Sequence, residues 1–145
     1  AGGRIVVNFG ARDGIGAGGD TDPAYPLFAA GYGGIAVEGD ASYRSALEAS
    51  LLLPYAVLPV IAMITPDNAV QIIKDARPRG LPIHQVDVFK IDIDGWDCDV
   101  LPKVLTAYQP ALLLVEYNAK FPPPLLMASV YHPHYDPSRR SHVYG

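Results

Sequence analysis

Ile5-Val6-Val7-Asn8-Phe9-Gly10-Ala11-Arg12-Asp13-Gly14 runs from an apolar stretch straight into a glycine-rich turn. The apolar run, rich in β-branched residues, reads as a buried strand. The segment Gly10 to Gly19 that follows holds five glycines in ten residues, and glycine permits the sharp backbone turn by which a strand gives way to a helix. A strand, a tight turn and a helix make the first unit of a parallel α/β sheet.

Working outward, the same unit repeats. Asp22 to Ala30 opens with Asp22-Pro23, a capping residue followed by one suited to the first helical position, and is expected to be helical until Gly31 to Gly34 ends it. Ile35 to Glu38 is the expected second strand, Ser42 to Ser50 a helix, and Val57 to Met63 the third strand. Thr65-Pro66-Asp67-Asn68 opens a helix running to about Asp75. Val86 to Ile93 is the fourth strand, Cys98 to Tyr108 a helix with Pro102 near its start, and Ala111 to Glu116 the fifth strand. The expected fold class is α/β: a Rossmann-like, doubly wound, mainly parallel sheet with helices on both faces. Residues 1–120 form this core. Residues 121–145 are a Pro/Tyr/His-rich loop or tail, the start of a truncated C-terminal part, and the last strands of such a sheet are expected to be missing.

Composition narrows the classes. The 145 residues suit one domain, and half are hydrophobic, enough for a core. The net charge of -4 argues against binding nucleic acid through its phosphates. The most apolar stretch, Leu51 to Ile64, holds Pro54 and Pro59 and is too short for a membrane helix, so no transmembrane segment is expected. The lone Cys98 excludes an internal disulfide and is expected to be a small buried hydrophobe. A soluble domain, cytoplasmic or organellar, fits these features, as does one peripheral to a membrane complex.

In an open α/β sheet the ligand sits beyond the carboxyl ends of the strands. Strand one ends in Asn8 to Gly14, strand two in Glu38-Gly39-Asp40, strand four in Asp92-Ile93-Asp94-Gly95 and strand five in Glu116-Tyr117-Asn118. Polar and acidic side chains thus converge on one edge. Gly10 and Gly14 allow close approach of a ligand, and Glu38 is placed to accept hydrogen bonds from ribose hydroxyls. The competing reading is a tight turn with a solvated strand end. Lys90, Asp92 and Asp94 alternate, so they share one face of strand four. There they bind substrate, a cation or a cofactor's ammonium, or else favour the N-terminus of the next helix together with Asp97 and Asp99.

These stretches resemble a family. Asn8 to Gly14 resembles the first motif of FkbM-like methyltransferases. Phe89-Lys90-Ile91-Asp92-Ile93-Asp94-Gly95-Trp96-Asp97 is similar to that family's strand-four signature, and Leu114-Val115-Glu116-Tyr117-Asn118 with Phe121-Pro122-Pro123-Pro124 to the segment that follows. His142-Val143-Tyr144-Gly145 looks like the beginning of a later motif. The resemblance implies S-adenosylmethionine as cofactor and methyl transfer to a hydroxyl of a small molecule or glycan. It implies that Gly10, Ala11 and Gly14, with Asn8 beside them, line the cofactor, that Glu38 holds its ribose, and that Asp92 or Asp94 faces the transfer site, Asp92 being assigned to the cofactor. Asp94 and Glu116 are candidate general bases for an acceptor hydroxyl. His84 is a third candidate base, but precedes strand four and lies at the wrong edge. Asn8 stands where the family usually has an acid. It keeps an acceptor and loses the charge.

Three further readings stand beside this one. A degenerate, non-catalytic scaffold of the same fold would be held by protein partners in a large, membrane-associated complex, its exposed sheet edge covered by them. A nicotinamide-dinucleotide oxidoreductase would use Gly14, Gly16 and Gly19, which match Gly-x-Gly-x-x-Gly but lie late in the turn. A metal site at His132, His134, His142 and Asp136 has loose spacing, so a surface loop is expected there and no metal.

Overall fold

The structure, a computed structural model, describes residues 4–16, 21–116, 124–125 and 131–134. Five strands form one parallel sheet: β1 (Ile5–Phe9), β2 (Gly33–Glu38), β3 (Val57–Ile61), β4 (Val88–Ile91) and β5 (Leu112–Val115), in the order β3-β2-β1-β4-β5. Between them lie α1 (Tyr25–Ala29), α2 (Arg44–Leu47), α3 (Ala69–Asp75) and α4 (Asp97–Ala107). The first two crossovers wind outward from β1 in one direction, and the later two start again at β4 on its other side. This is the doubly wound, Rossmann-like arrangement expected.

Alternation along the strands sends side chains to two faces. Val7, Phe9, Ile35, Val37, Phe89 and Ile91 pack with Ala69 and Ile73 of α3 and Val100 and Val104 of α4. Val6, Ala36, Val57 and Val88 pack with Phe28 of α1 and with Leu47 and Leu51. Helices therefore cover both faces. At the centre, the Phe9 and Phe89 rings meet edge to face at 5.0 Å, a geometry that adds about 1 kcal/mol to the area they bury.

Several elements differ from expectation at their ends. β2 begins at Gly33, because Gly33 and Gly34 pair with Ile5 and Val6 instead of only closing the helix before them. β4 is shorter than expected at both ends. α1 starts at Tyr25, since the Asp22 carboxylate receives Ala24 N at 2.7 Å and holds Pro23-Ala24 in a turn before the helix. α2 is one stretch of a longer coil: a 3₁₀ turn at Ala41–Tyr43 leads into it and a π turn at Glu48–Leu52 follows. Pro102 lies inside α4, in its second turn. Cys98 is exposed, a correction to its expected burial: α4 turns Asp97 and Val100 inward and leaves Cys98 on the outer face. The apolar stretch Leu51 to Ile64 is divided between the π turn and β3, and among the described residues no helix is long and apolar enough to cross a membrane.

Candidate functional site

The polar ends of β1, β2 and β4 meet at the carboxyl edge, where the winding reverses between β1 and β4. Gly10 N and Ala11 N both donate to Val37 O, at 2.9 and 3.1 Å, and Asp92 N donates to Phe9 O at 3.1 Å. The turn after β1 thus crosses tightly over its two neighbours. Gly10 has φ +80°, and a Cβ there would lie 1.6 Å from Asp92 O, so no other residue fits.

Above this turn opens a cleft of about 620 Å³. Gly10, Glu38, Asp92 and Asp94 line it, as do Asp40 and Arg12. Glu38 is fixed by two backbone donors, Arg12 N to Oε2 and Asp40 N to Oε1, both at 2.8 Å. Each carboxylate oxygen keeps a further lone pair for a ligand. The Ser42 N–H donates to Asp40 Oδ1 at 2.8 Å, and this bond holds the Asp40 carboxyl below its usual range. The apolar side of the cleft comes from the end of β3, Met63 and Ile64, and from Trp96. Trp96 is buried. Its indole N–H donates to Ile64 O at 2.7 Å, and its ring meets Tyr131 edge to face at 5.4 Å. Tyr131 N in turn donates to Asp99 Oδ2 at 2.7 Å, so this piece of the C-terminal segment is bound to the core.

Below the cleft lies a charged network. Lys90, with 4% of its side chain exposed, donates to Gly10 O at 2.8 Å and pairs with Asp92 Oδ2 at 3.3 Å and Asp22 Oδ2 at 3.5 Å. Asn8, wholly buried, donates its amide N–H to the same Asp22 oxygen at 3.0 Å. Its Oδ1 has no hydrogen-bond partner among the described residues. The carboxylate of Asp22 thus places a negative charge directly beside Asn8.

The third part of the site is acidic. Asp92, Asp94 and Glu116 each offer a carboxylate oxygen, and the three lie within 4.8 Å of one another. Asp94 sits in the left-handed region at φ 54°. Its loop is tied down by buried Asp97, whose Oδ1 receives Ile93 N at 2.9 Å and Oδ2 Gly95 N at 3.2 Å. Burial raises the Asp97 carboxyl, against the pull of those bonds. Partial loss of hydration, then the charges of Asp92 and Asp94, push the surface-exposed Glu116 up to about 7. Oxygen ligands at this spacing suit a hard cation, although exposed acids often cluster without one.

Of the residues singled out in the sequence, Gly10, Glu38, Asp92 and Asp94 line the cleft and Glu116 adjoins it. Asn8, Ala11 and Gly14 lie beneath. Ala11 belongs to the core on the α1 side, and a Cβ on Gly14 would strike Leu51 Cδ1 at 2.7 Å, so that glycine serves packing. His84 lies at the opposite edge of the sheet, in a groove with Ile5 and Gly33. His132 and His134 are exposed, with ring centroids 5.5 Å apart, while His142 and Asp136 lie outside the described residues. Sequence reasoning missed Asp22, taken only as a cap, and the contribution of Met63, Ile64 and Trp96. The end of strand three was the signal for Met63 and Ile64, since it shares the edge with the other strand ends. Comparison of the chain with known protein families, curated proteins and solved structures finds no match.

Proposed function

We propose that the cleft binds S-adenosylmethionine and that the chain is a methyltransferase domain acting on a hydroxyl of a small molecule or glycan. The observation that carries this reading is the charge of the cleft. Glu38, Asp40, Asp92 and Asp94 line it, against one base, Arg12, among the described residues. Such a surface attracts a ligand bearing a sulfonium and an ammonium, and repels a pyrophosphate. In dinucleotide-binding folds the pyrophosphate sits on the helix N-terminus after strand one. Here the carboxylate of Asp22 already receives Ala24 N at that place. Both facts weigh against the oxidoreductase reading.

The residues divide the work as follows. Glu38 accepts hydrogen bonds from the ribose, Met63 and Ile64 give the base an apolar wall, and Asp92 faces the ammonium of the amino-acid part. S-adenosylmethionine supplies a methyl group already activated on sulfur, so the protein contributes mainly proximity and alignment. Asp94 and Glu116 adjoin the open side, where the acceptor hydroxyl enters. Glu116, raised towards neutrality, is suited to take its proton.

Calorimetric titration of S-adenosylmethionine tests the reading. Micromolar binding is expected, weakened at least about tenfold by Glu38→Ala, which removes hydrogen bonds to a charged acceptor. Absence of binding to the unaltered chain would remove the enzyme reading. A non-catalytic scaffold held by protein partners would then be the better account. It is favoured by one observation: Leu112 and Val115 on the edge strand β5 are 48% and 39% exposed.

A further inference from the structure

We propose that Lys90 is the positioning residue of the cleft, holding the turn after β1 and the carboxylate of Asp92 in the arrangement that receives the amino-acid part of the ligand. Only the ligand half of this inference rests on the S-adenosylmethionine reading. The geometry stands without it.

Lys90 lies on β4 opposite Asn8 of β1, at the point where the winding of the sheet reverses. An ammonium group has three N–H donors and no acceptor. Among the described residues Lys90 meets three acceptors: Gly10 O at 2.8 Å, Asp92 Oδ2 at 3.3 Å and Asp22 Oδ2 at 3.5 Å. They belong to three separate segments: the turn after β1, the end of β4 and the entry to α1. A lysine retained only to neutralise buried Asp22 would need that contact alone. Two of its three partners, Gly10 and Asp92, line the cleft instead. Asp92 keeps 42% of its side chain exposed, so Lys90 grips one of its oxygens and leaves the group open towards a ligand. A flexible strand-end carboxylate thereby becomes a fixed one, and fixed charges bind without the cost of ordering them.

Removing Lys90 alone strands the charge of buried Asp22 and endangers folding. The informative variant is therefore Asp22→Asn/Lys90→Met, which keeps the local charge in balance, studied beside Lys90→Met. Two readouts are needed. The first is amide exchange followed by NMR at Gly10, Ala11 and Asp92, with Ile73 and Val104 as core references. The second is titration with S-adenosylmethionine and with adenosine, which lacks the amino-acid part. In the double variant, exchange at the three cleft amides should rise at least about tenfold over the core references. Affinity for S-adenosylmethionine should fall at least about tenfold while that for adenosine changes less than about threefold. Unchanged cleft exchange in a folded double variant overturns the proposal. So does an equal loss of both ligands, which marks a general structural role. If the unaltered chain binds neither ligand, the methyltransferase reading fails, and the exchange result alone decides whether Lys90 holds the turn.

Discussion

Asn8 is an amide because its neighbour is an acid. It donates to Asp22 Oδ2 at 3.0 Å, and Lys90 is already shared among Asp22, Asp92 and Gly10. Asn8→Asp would set two buried carboxylates against one ammonium. We expect it to destabilise the fold by about 2–4 kcal/mol at pH 7.5. The loss should shrink towards pH 4 as one carboxyl takes up a proton. Urea denaturation at the two pH values checks this, and equal stability at pH 7.5 would contradict the pairing. Glu116 gives a second pH dependence. Its carboxyl ionises near its ordinary value of 4.5 in the unfolded chain and at about 7 in the fold. Between these values the fold binds a proton that the unfolded chain has released, so stability falls as the pH rises through 7. Glu116→Gln should therefore gain on the unaltered chain between pH 5 and pH 8. The gain is on the order of 1 kcal/mol, well under the full shift because the group is open to water. Melting curves across that range would reveal it. At this scale Glu38 and Asp92 were legible because acids at strand ends are a local pattern. The partnership of Asn8 with Asp22 was not, since the two lie 14 residues apart in the chain and no local periodicity links them.

Among the elements, the π turn Glu48–Leu52 has the least obvious role. It places Leu51 in the core and Ser50 under the glycine-rich turn, where Ser50 Oγ donates to Asp13 O at 2.6 Å. Gly14, at φ +83°, lies so close to both residues that a Cβ would meet Leu51 Cδ1 at 2.7 Å and Ser50 Oγ at 2.8 Å. The turn after β1 is thus clamped from the side by α2's extension and from below by Lys90. Ser50→Ala should cost about 1 kcal/mol, the value of one partly buried hydrogen bond, with faster amide exchange at Gly14 and Gly16. No change in either would mean that the contact is incidental. A helix over this segment was legible from its strong helix formers. Its π register was not, because it follows from what the segment packs against.

For the molecule as a whole, the two edges of the sheet differ. β3, at one edge, carries Pro59, whose missing N–H makes it a poor template for another strand. β5, at the other, is Leu-Leu-Leu-Val, and its outer edge has no strand partner among the described residues. Leu112→Lys should leave thermal stability within about 0.5 kcal/mol, since the side chain is half exposed. It should reduce concentration-dependent association on warming. Light scattering that is unchanged by the substitution would show that this edge is already covered. The order of strands and helices, the parallel sheet and the acidic carboxyl edge could all be read along the chain. They depend on apolar runs, caps and glycines, which act over a few residues. Which of those polar residues face the cleft, and which lie under it, followed from the strand order β3-β2-β1-β4-β5. That order sets Lys90 against a carbonyl 80 residues away in sequence and buries Asn8 of β1, with Ala11 and Gly14 of the turn that follows, beneath the cleft. Burial and charge pairing are properties of contacts between distant segments, and no local pattern carries them.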